Sequence, residues 1–525
     1  MYSCINCAGN LLFDIESGKL KCSHCKSLFD TYEVSGGSEA SEEYEYEVTV
    51  FTCPQCSGRI YSLDTQALAY CSFCGASSVL EGRLESMERP KYIIPFTVSK
   101  EDCKRIFTAK LKKESYTPNW LKNAEYIDSF RGIYVPYWIY NASQKGPVEV
   151  LATKTIANTF DKVNGYSVYG ELDCDYHGVA FDASAAFEDD ISEQLAPYDM
   201  RKLKPFSPAF LSGFYADVAD VKEDVYMSRA EEIINKATTS FIDTQPELYG
   251  YNVEQPPYAS DTYHTLMGKA ELAMLPVWLL TYRRNGRVAH VAINGQSGKM
   301  AASLPIDRRK YINEGVFSAL PLFALIGLMV YFLGDKWSMV ITSYIMALVS
   351  LGITGIYAVN MKRMWEIENL TKDKGFHAAK GGNVNKRQID IHSAAAKWMI
   401  ISGILGATAS MIGLSFARYK MSNEAHMLFS VGLALFSIPV FISVRESFKE
   451  IYDHERKSAI WWLLLSFILE LLCFAVKFSG LISYALMIVT AILCSGAMLK
   501  IVGYHNHMIT RKLPQYKYGG GFHND

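Results

Sequence analysis

The 525-residue sequence predicts a multidomain chain: two small cysteine-built β modules, an α+β soluble domain, and an all-α polytopic membrane domain of about six helices. Three observations predict this. Eight of the twelve cysteines fall in four Cys-x-x-Cys pairs before residue 75. Residues 91–310 mix period-2 and period-3.6 apolar patterns, as strands and amphipathic helices do. Residues 315–503 are dominated by long apolar runs. The net charge of −2 gives no global attraction to nucleic acid.

The first module, residues 1–33, holds Cys4, Cys7, Cys22 and Cys25. The second, residues 51–90, holds Cys53, Cys56, Cys71 and Cys74. Both read C-x2-C-x14-C-x2-C, so the unit repeats after 49 residues. Two residues between cysteines make a knuckle that aims both sulfurs at one point. The longer insert suits a hairpin that brings the second knuckle to the first. Four thiolates close a tetrahedral structural site around zinc, so the modules read as two small β zinc ribbons with two structural Zn2+ ions. Segments this small have no other core. Gly9 and Gly58 follow the first knuckle at the same offset, and Gly75 follows the second knuckle of the second unit. They are expected to supply left-handed backbone. His24 lies inside a knuckle but reads as a bystander, because four cysteines already fill the shell. The linker between the modules, 34–50, is acidic. Residues 1–90 carry six Lys and Arg against thirteen Asp and Glu, which makes nucleic acid an unfavourable partner and protein the expected one.

In the central region Ile93–Phe96 reads as a short strand and 99–115 as an amphipathic helix with Cys103, Ile106, Phe107 and Leu111 on one stripe. Strands are expected at 132–142, 148–156 and 166–181, and a helix at 228–242 with Ala230, Ile233, Ile234 and Ala237 on its buried face. Residues 275–300 read as a hairpin turned at Asn285-Gly286, with a further turn at Asn294-Gly295. Pro136/Trp138 and Pro276/Trp278 form a near-repeat that reads as core. Catalytic signals are thin. Asp173, Asp175 and His177 share a strand face with Cys174 on the other, and read as solvated strand residues rather than a metal site. Ser184 lacks a nucleophile elbow, and GQSGKM lacks P-loop spacing. No enzyme is expected.

Six stretches meet the length a bilayer asks of a helix: 315–334, 337–359, 396–417, 426–444, 459–477 and 480–503. With the ribbons inside, the inner connections hold fourteen Lys and Arg and the outer ones four. The expected location is therefore the inner membrane, multi-pass, with both termini and the tail 504–525 cytoplasmic and the lipid bilayer as a partner. Thiolate zinc sites agree, since they need a reducing compartment. Glu470 is the one acid deep in a predicted span. It reads first as a protonated acid bonded to a neighbouring helix and otherwise as an intramembrane functional residue.

The paired ribbons, together with YIIPFTVSKED, FRGIYVPYWIYNA, FDASAAFEDDISEQLAPYDM, PAFLSGFYAD and LPVWLLTYRRNGRVAHVAINGQSGKM, resemble a bacterial family. Its members are membrane-anchored proteins with TFIIB-type tandem zinc ribbons, often mislabelled as helicase- or replication-related. The likeness spans residues 1 to 305 and carries over only the eight cysteines, as zinc ligands. It implies a place in envelope-stress assemblies with phage-shock-type and flotillin-like (SPFH) proteins. The expected role is a non-enzymatic scaffold or adaptor presenting zinc ribbons to cytosolic protein partners. The competing readings are a transporter or channel with a cytosolic zinc-ribbon sensor, and a membrane-tethered nucleic-acid-binding ribbon. An oligomer is compatible with the sequence.

Overall fold

The computed structural model describes residues 2–34, 45–56, 58–62, 71–77, 81–155, 163–254, 263–284, 287–333, 461–469 and 480–512, with isolated residues between 353 and 378. Three short strands, β1 (Leu11–Asp14), β2 (Lys19–Cys22) and β3 (Leu28–Phe29), form a separate antiparallel sheet that builds the first cysteine module, followed by one helical turn, α1 (Thr31–Val34). The second module contributes β4 (Glu45–Thr52), β5 (Arg59–Tyr61) and β6 (Glu81–Glu88). These strands extend the main sheet and do not form a sheet of their own.

After β7 (Tyr92–Ile93) comes the expected amphipathic helix, α2 (Lys100–Lys113). Ser99 caps it: its hydroxyl accepts from the Asp102 N–H, and the Asp102 carboxylate accepts from the Ser99 N–H. Cys103, Phe107 and Leu111 are buried along one stripe. Beyond α3 (Ala124–Asp128), the chain enters β8 (Arg131–Thr155), which pairs antiparallel with β9 (Val163–Asp182). The segment 132–140 of β8 is buried at every position, because both faces of this central strand are covered.

Helix α4 (Asp189–Leu195), β10 (Lys204–Pro205), β11 (Tyr215–Asp217) and helix α5 (Met227–Asp243) follow. On α5 the buried residues are Ala230, Ile234, Thr238 and Ile242, spaced by four, whereas Ile233 and Ala237 are exposed, so the face is turned by one position from the expected stripe. Strands β12 (Asn252–Glu254) and β13 (His264–Met267) pair with the outer half of β8. The hairpin of β14 (Glu271–Arg284) and β15 (Arg287–Asn294) has Arg284 opposite Arg287; the expected turn at Asn285-Gly286 lies outside the described residues. The turn after Asn294 is present, with its carboxamide accepting from the Gln296 and Ser297 N–H groups. Strand β16 (Met300–Ala302), the helices α6 (Arg308–Leu333) and α7 (Gly480–Met508), and β17 (Arg511–Lys512) complete the described chain.

The main sheet runs β10-β7-β14-β8-β11-β5-β4-β6, with further strands paired to β8 and β15. Its centre explains the near-repeat. Strands β8 and β14 pair antiparallel with Val135 opposite Leu275. Trp138 and Trp278 each lie three residues beyond that pair, on the same face, related by a local two-fold. Each indole N–H donates to a backbone carbonyl at 2.8 Å, Trp138 to Val221 and Trp278 to Val98. Alternation along β8 and β14 divides the core. One face carries Tyr134, Met274 and Trp278 with Phe13, Phe96, Phe107 and Phe214. The other carries Val135, Tyr137, Leu275 and Val277 with Phe73, Phe187 and Leu195.

The expected all-α domain of about six membrane-spanning helices is overturned. The described chain is predominantly β, and among the described residues one helical segment, Ile488–Met508 within α7, is long and apolar enough to cross a bilayer by length and composition. The span expected at 315–334 falls on α6, which opens with Arg308, Arg309, Lys310 and Glu314 and contains Pro321. The spans at 396–417 and 426–444, all of 337–359 but Ile353 and Ile356, and most of 459–477 including Glu470, lie outside the described residues. The multi-pass inner-membrane location falls with the six-helix count that supported it. Hydropathy read along a sequence reports that a segment prefers to leave water; it does not tell lipid from protein as the cover.

Candidate metal centres

Each module is made of two knuckles. The N–H of the leading cysteine donates to the carbonyl five residues on: Cys4 to Gly9, Cys22 to Ser27, Cys53 to Gly58 and Cys71 to Ala76, at 2.7–3.0 Å. Among the described residues the N–H four residues on also returns to the cysteine carbonyl: Ala8 to Cys4, Lys26 to Cys22 and Gly75 to Cys71. That tight loop forces positive φ on the residue after the second cysteine, 58° at Ala8, 63° at Lys26 and 68° at Gly75. Gly75 therefore does what the sequence suggested. Gly9 and Gly58 do something else: they leave room. A Cβ at residue 58 would sit 2.6 Å from the Phe73 ring, and one at residue 9 would sit 3.1 Å from the His24 Cβ and 3.2 Å from the Cys22 Sγ. Ala8 and Lys26 bear the left-handed strain in the first module, and nothing in their residue types announces it.

The knuckles converge. Cys4 and Cys25 sulfurs lie 3.6 Å apart and Cys7 and Cys22 3.4 Å apart. Cys53 and Cys74 lie 3.7 Å apart, as do Cys56 and Cys71. None is a disulfide, and within each set all four sulfurs lie within 4.8 Å of one another. A tetrahedron of sulfurs about 2.3 Å from a central ion has edges of about 3.8 Å, so the separations match a closed four-thiolate site. Both sets can hold a metal ion. His24 stays outside, as expected.

The thiols also show what a cation would resolve. In the second module contact with Cys56 holds Cys53 low, while contact with Cys53 holds Cys56 and Cys71 high. In the first, hydrogen bonding to Ser27 brings Cys25 down to about 6. Four sulfurs this close cannot all be thiolates without a positive ion among them.

The two centres differ in their surroundings. In the first, Cys4 and Cys22 are buried while Cys7 and Cys25 are exposed; in the second all four are buried. The first is joined to one face of the sheet through a run of rings. Phe13 packs on Phe210 and Phe214, Phe214 stacks on Phe96 at 4.4 Å, and Phe96 meets Trp278. The second is built into the opposite face. Strand β5 pairs with β11, with Ile60 opposite Asp217, and β11 pairs with β8. The Thr281 hydroxyl donates to the Ser72 carbonyl, and His290 Nε2 lies 2.6 Å from the Phe73 carbonyl. A carbonyl can only accept, so that nitrogen carries the hydrogen. Burial holds the His290 pKa below its ordinary value, and its Nδ1 stands 3.7 Å from the buried Glu188 carboxylate. Thr281 and His290 escaped the sequence reading because a polar residue on a strand carries no mark of the carbonyl it will face.

The other candidates behave as solvated strand residues: Asp173, Asp175 and His177 are all exposed on β9, and Asp173 pairs with Lys145 at 3.0 Å. No family model matches the chain, and no solved structure matches it. The chain is similar to the uncharacterized protein YdjG of Bacillus subtilis (strain 168). The two are 29% identical over 339 residues, a match that covers 62% of this chain and 97% of that relative.

Proposed function

We propose that this chain is a non-enzymatic scaffold whose two centres hold zinc and whose first ribbon is the part offered to protein partners. Thiolate-only, four-coordinate sites are closed: they leave no position for substrate or activated water, and they suit zinc as a structural ion. One observation carries the reading. At the metal end of the first module Ile5 is 81% exposed and Leu28 49% exposed. Ile5 sits in the first knuckle and Leu28 directly follows the second, and the two knuckles are tied together by the Asn6 carboxamide donating to the Ser27 hydroxyl at 3.1 Å. Two large apolar side chains held in solvent by a rigid metal clamp are a contact surface rather than a core. The acidic balance of residues 1–90 favours protein over nucleic acid. The family resemblance adds envelope-stress proteins of the phage-shock and SPFH types as the partners to look for.

The test compares the full chain with Ile5→Ser/Leu28→Ser in affinity capture from native extracts, with metal content measured on both. The expected result is two zinc per chain in each and loss of specific partners from the variant alone. Unchanged partners would overturn the docking role, and a metal other than zinc would overturn the ion assignment.

A further inference from the structure

A cleft of about 690 Å3 lies where α6 begins and α7 ends, against the turn end of the β14–β15 hairpin. That volume falls within the roughly 300–1,000 Å3 of small-molecule sites. Its walls are fixed. Asn506 and Ile306 exchange hydrogen bonds, the Ile306 N–H donating to the Asn506 carboxamide at 2.7 Å and Asn506 Nδ2 to the Ile306 carbonyl at 2.8 Å. Arg287 ties the hairpin to the end of α7 through the Thr510 hydroxyl and carbonyl. On another side stands the half-buried Trp120, its ring edge-on to Tyr126 and Tyr282.

The charge lining this space is one-sided. Arg287, Arg308 and Arg309 share this lining with a single acid, Asp307. Asp307 is already engaged as the cap of α6, accepting from the N–H groups of Arg309 and Lys310. Among the described residues neither Arg308 nor Arg309 is paired with a carboxylate. The Arg308 guanidinium lies against α7 at Gly503, where a Cβ would collide with it. The Arg308 and Arg309 guanidinium groups at the mouth of α6 fit the oxygens of a phosphate, which guanidinium binds in paired, charge-assisted hydrogen bonds.

We propose that this cleft binds a phosphate-bearing ligand through Arg308 and Arg309, with Trp120 flanking its non-phosphate part. The phosphate can be that of a soluble ester or of a lipid headgroup, and the test separates the two. Full-length protein is titrated with inorganic pyrophosphate and with glycerol 3-phosphate. In parallel it is floated with phosphatidylcholine vesicles with and without phosphatidylglycerol. Each experiment is repeated on Arg308→Gln/Arg309→Gln and on Lys112→Gln/Lys113→Gln, a charge-matched pair on exposed positions of α2. Binding of the soluble phosphates that weakens at least about tenfold in the arginine variant, but not in the lysine variant, assigns a soluble ligand. The same pattern confined to phosphatidylglycerol vesicles assigns a lipid. No binding to any probe, or binding equally weakened by both variants, overturns the site. Thermal melts of the variants confirm that each remains folded.

Discussion

The two cysteine modules share spacing, knuckle geometry and donor set, yet one leaves two of its four sulfurs in solvent and the other leaves none. The first folds on its own three strands and leans on the sheet through phenylalanine rings. The second lends its strands to the sheet and takes hydrogen bonds from Thr281 and His290 onto its second knuckle. The same motif can thus serve as an appended head or as part of the frame. What decides is whether the strands between the knuckles find partners beyond the module.

The most severe way to test that contrast is to remove one sulfur from each. Cys71→Ser should cost on the order of 5 kcal/mol and abolish the cooperative melt of the sheet, because the lost ligand lies inside a shared core. Cys7→Ser should lose one metal equivalent and leave that melt in place. Calorimetry with metal analysis checks both, and equal damage from the two would erase the distinction. Next come the glycines. Gly58→Ala should cost about 2 kcal/mol in denaturant unfolding, since its Cβ meets the Phe73 ring at 2.6 Å. Gly9→Ala, with its nearest contact at 3.1 Å, should cost about half as much. Metal release to a chromogenic chelator should be biphasic, the exposed centre emptying at least about tenfold faster than the enclosed one, whose opening requires local unfolding. A single phase would mean the difference in burial has no dynamic counterpart.

The smallest effect concerns the seam between the second module and the sheet. Asp217, opposite Ile60 on β11, is buried, and desolvation holds its carboxyl well above the ordinary 3.8. Below that pH both folded and unfolded chains keep the proton. Above it the unfolded chain releases the proton and the folded one does not, so stability falls as pH rises. Asp217→Asn removes the difference. The variant should gain on the parent between pH 4 and 7 by on the order of 1 kcal/mol, read from melting temperatures across that range. A constant offset would show that the carboxyl does not titrate differently on folding.

Much of this architecture was legible. The grouping of the eight cysteines into two sets of four follows from spacing, since two-residue gaps permit few other geometries. Helix α2 was legible because its apolar residues fall on one stripe with lysines opposite, whereas its Ser99 cap emerged only in the structure. The central strand at 132–142 was legible as a continuous apolar run, which suits a strand covered on both faces. The role of Gly9 and Gly58 was not, because a glycine needed for space looks the same in sequence as one needed for positive φ. Nor could spacing show that β5 continues into β11, because pairing between residues 60 and 217 depends on the whole fold. The six-helix reading failed for a related reason: an apolar run states what a segment avoids and leaves open what it contacts. The arginine cleft was illegible throughout, since Arg287, Arg308 and His507 come together only once the last described helix returns to the sheet.

The join between β5 and β11 also bears on synthesis. Ile60 leaves the ribosome about 160 residues before its partner Asp217 exists, so for that interval the edge of the second module has no strand to cover it. An ion bound to Cys53, Cys56, Cys71 and Cys74 would hold the nascent segment in register while it waits. A cell short of that ion would accumulate chains whose defect appears far downstream of the cysteines, in a sheet that never closes.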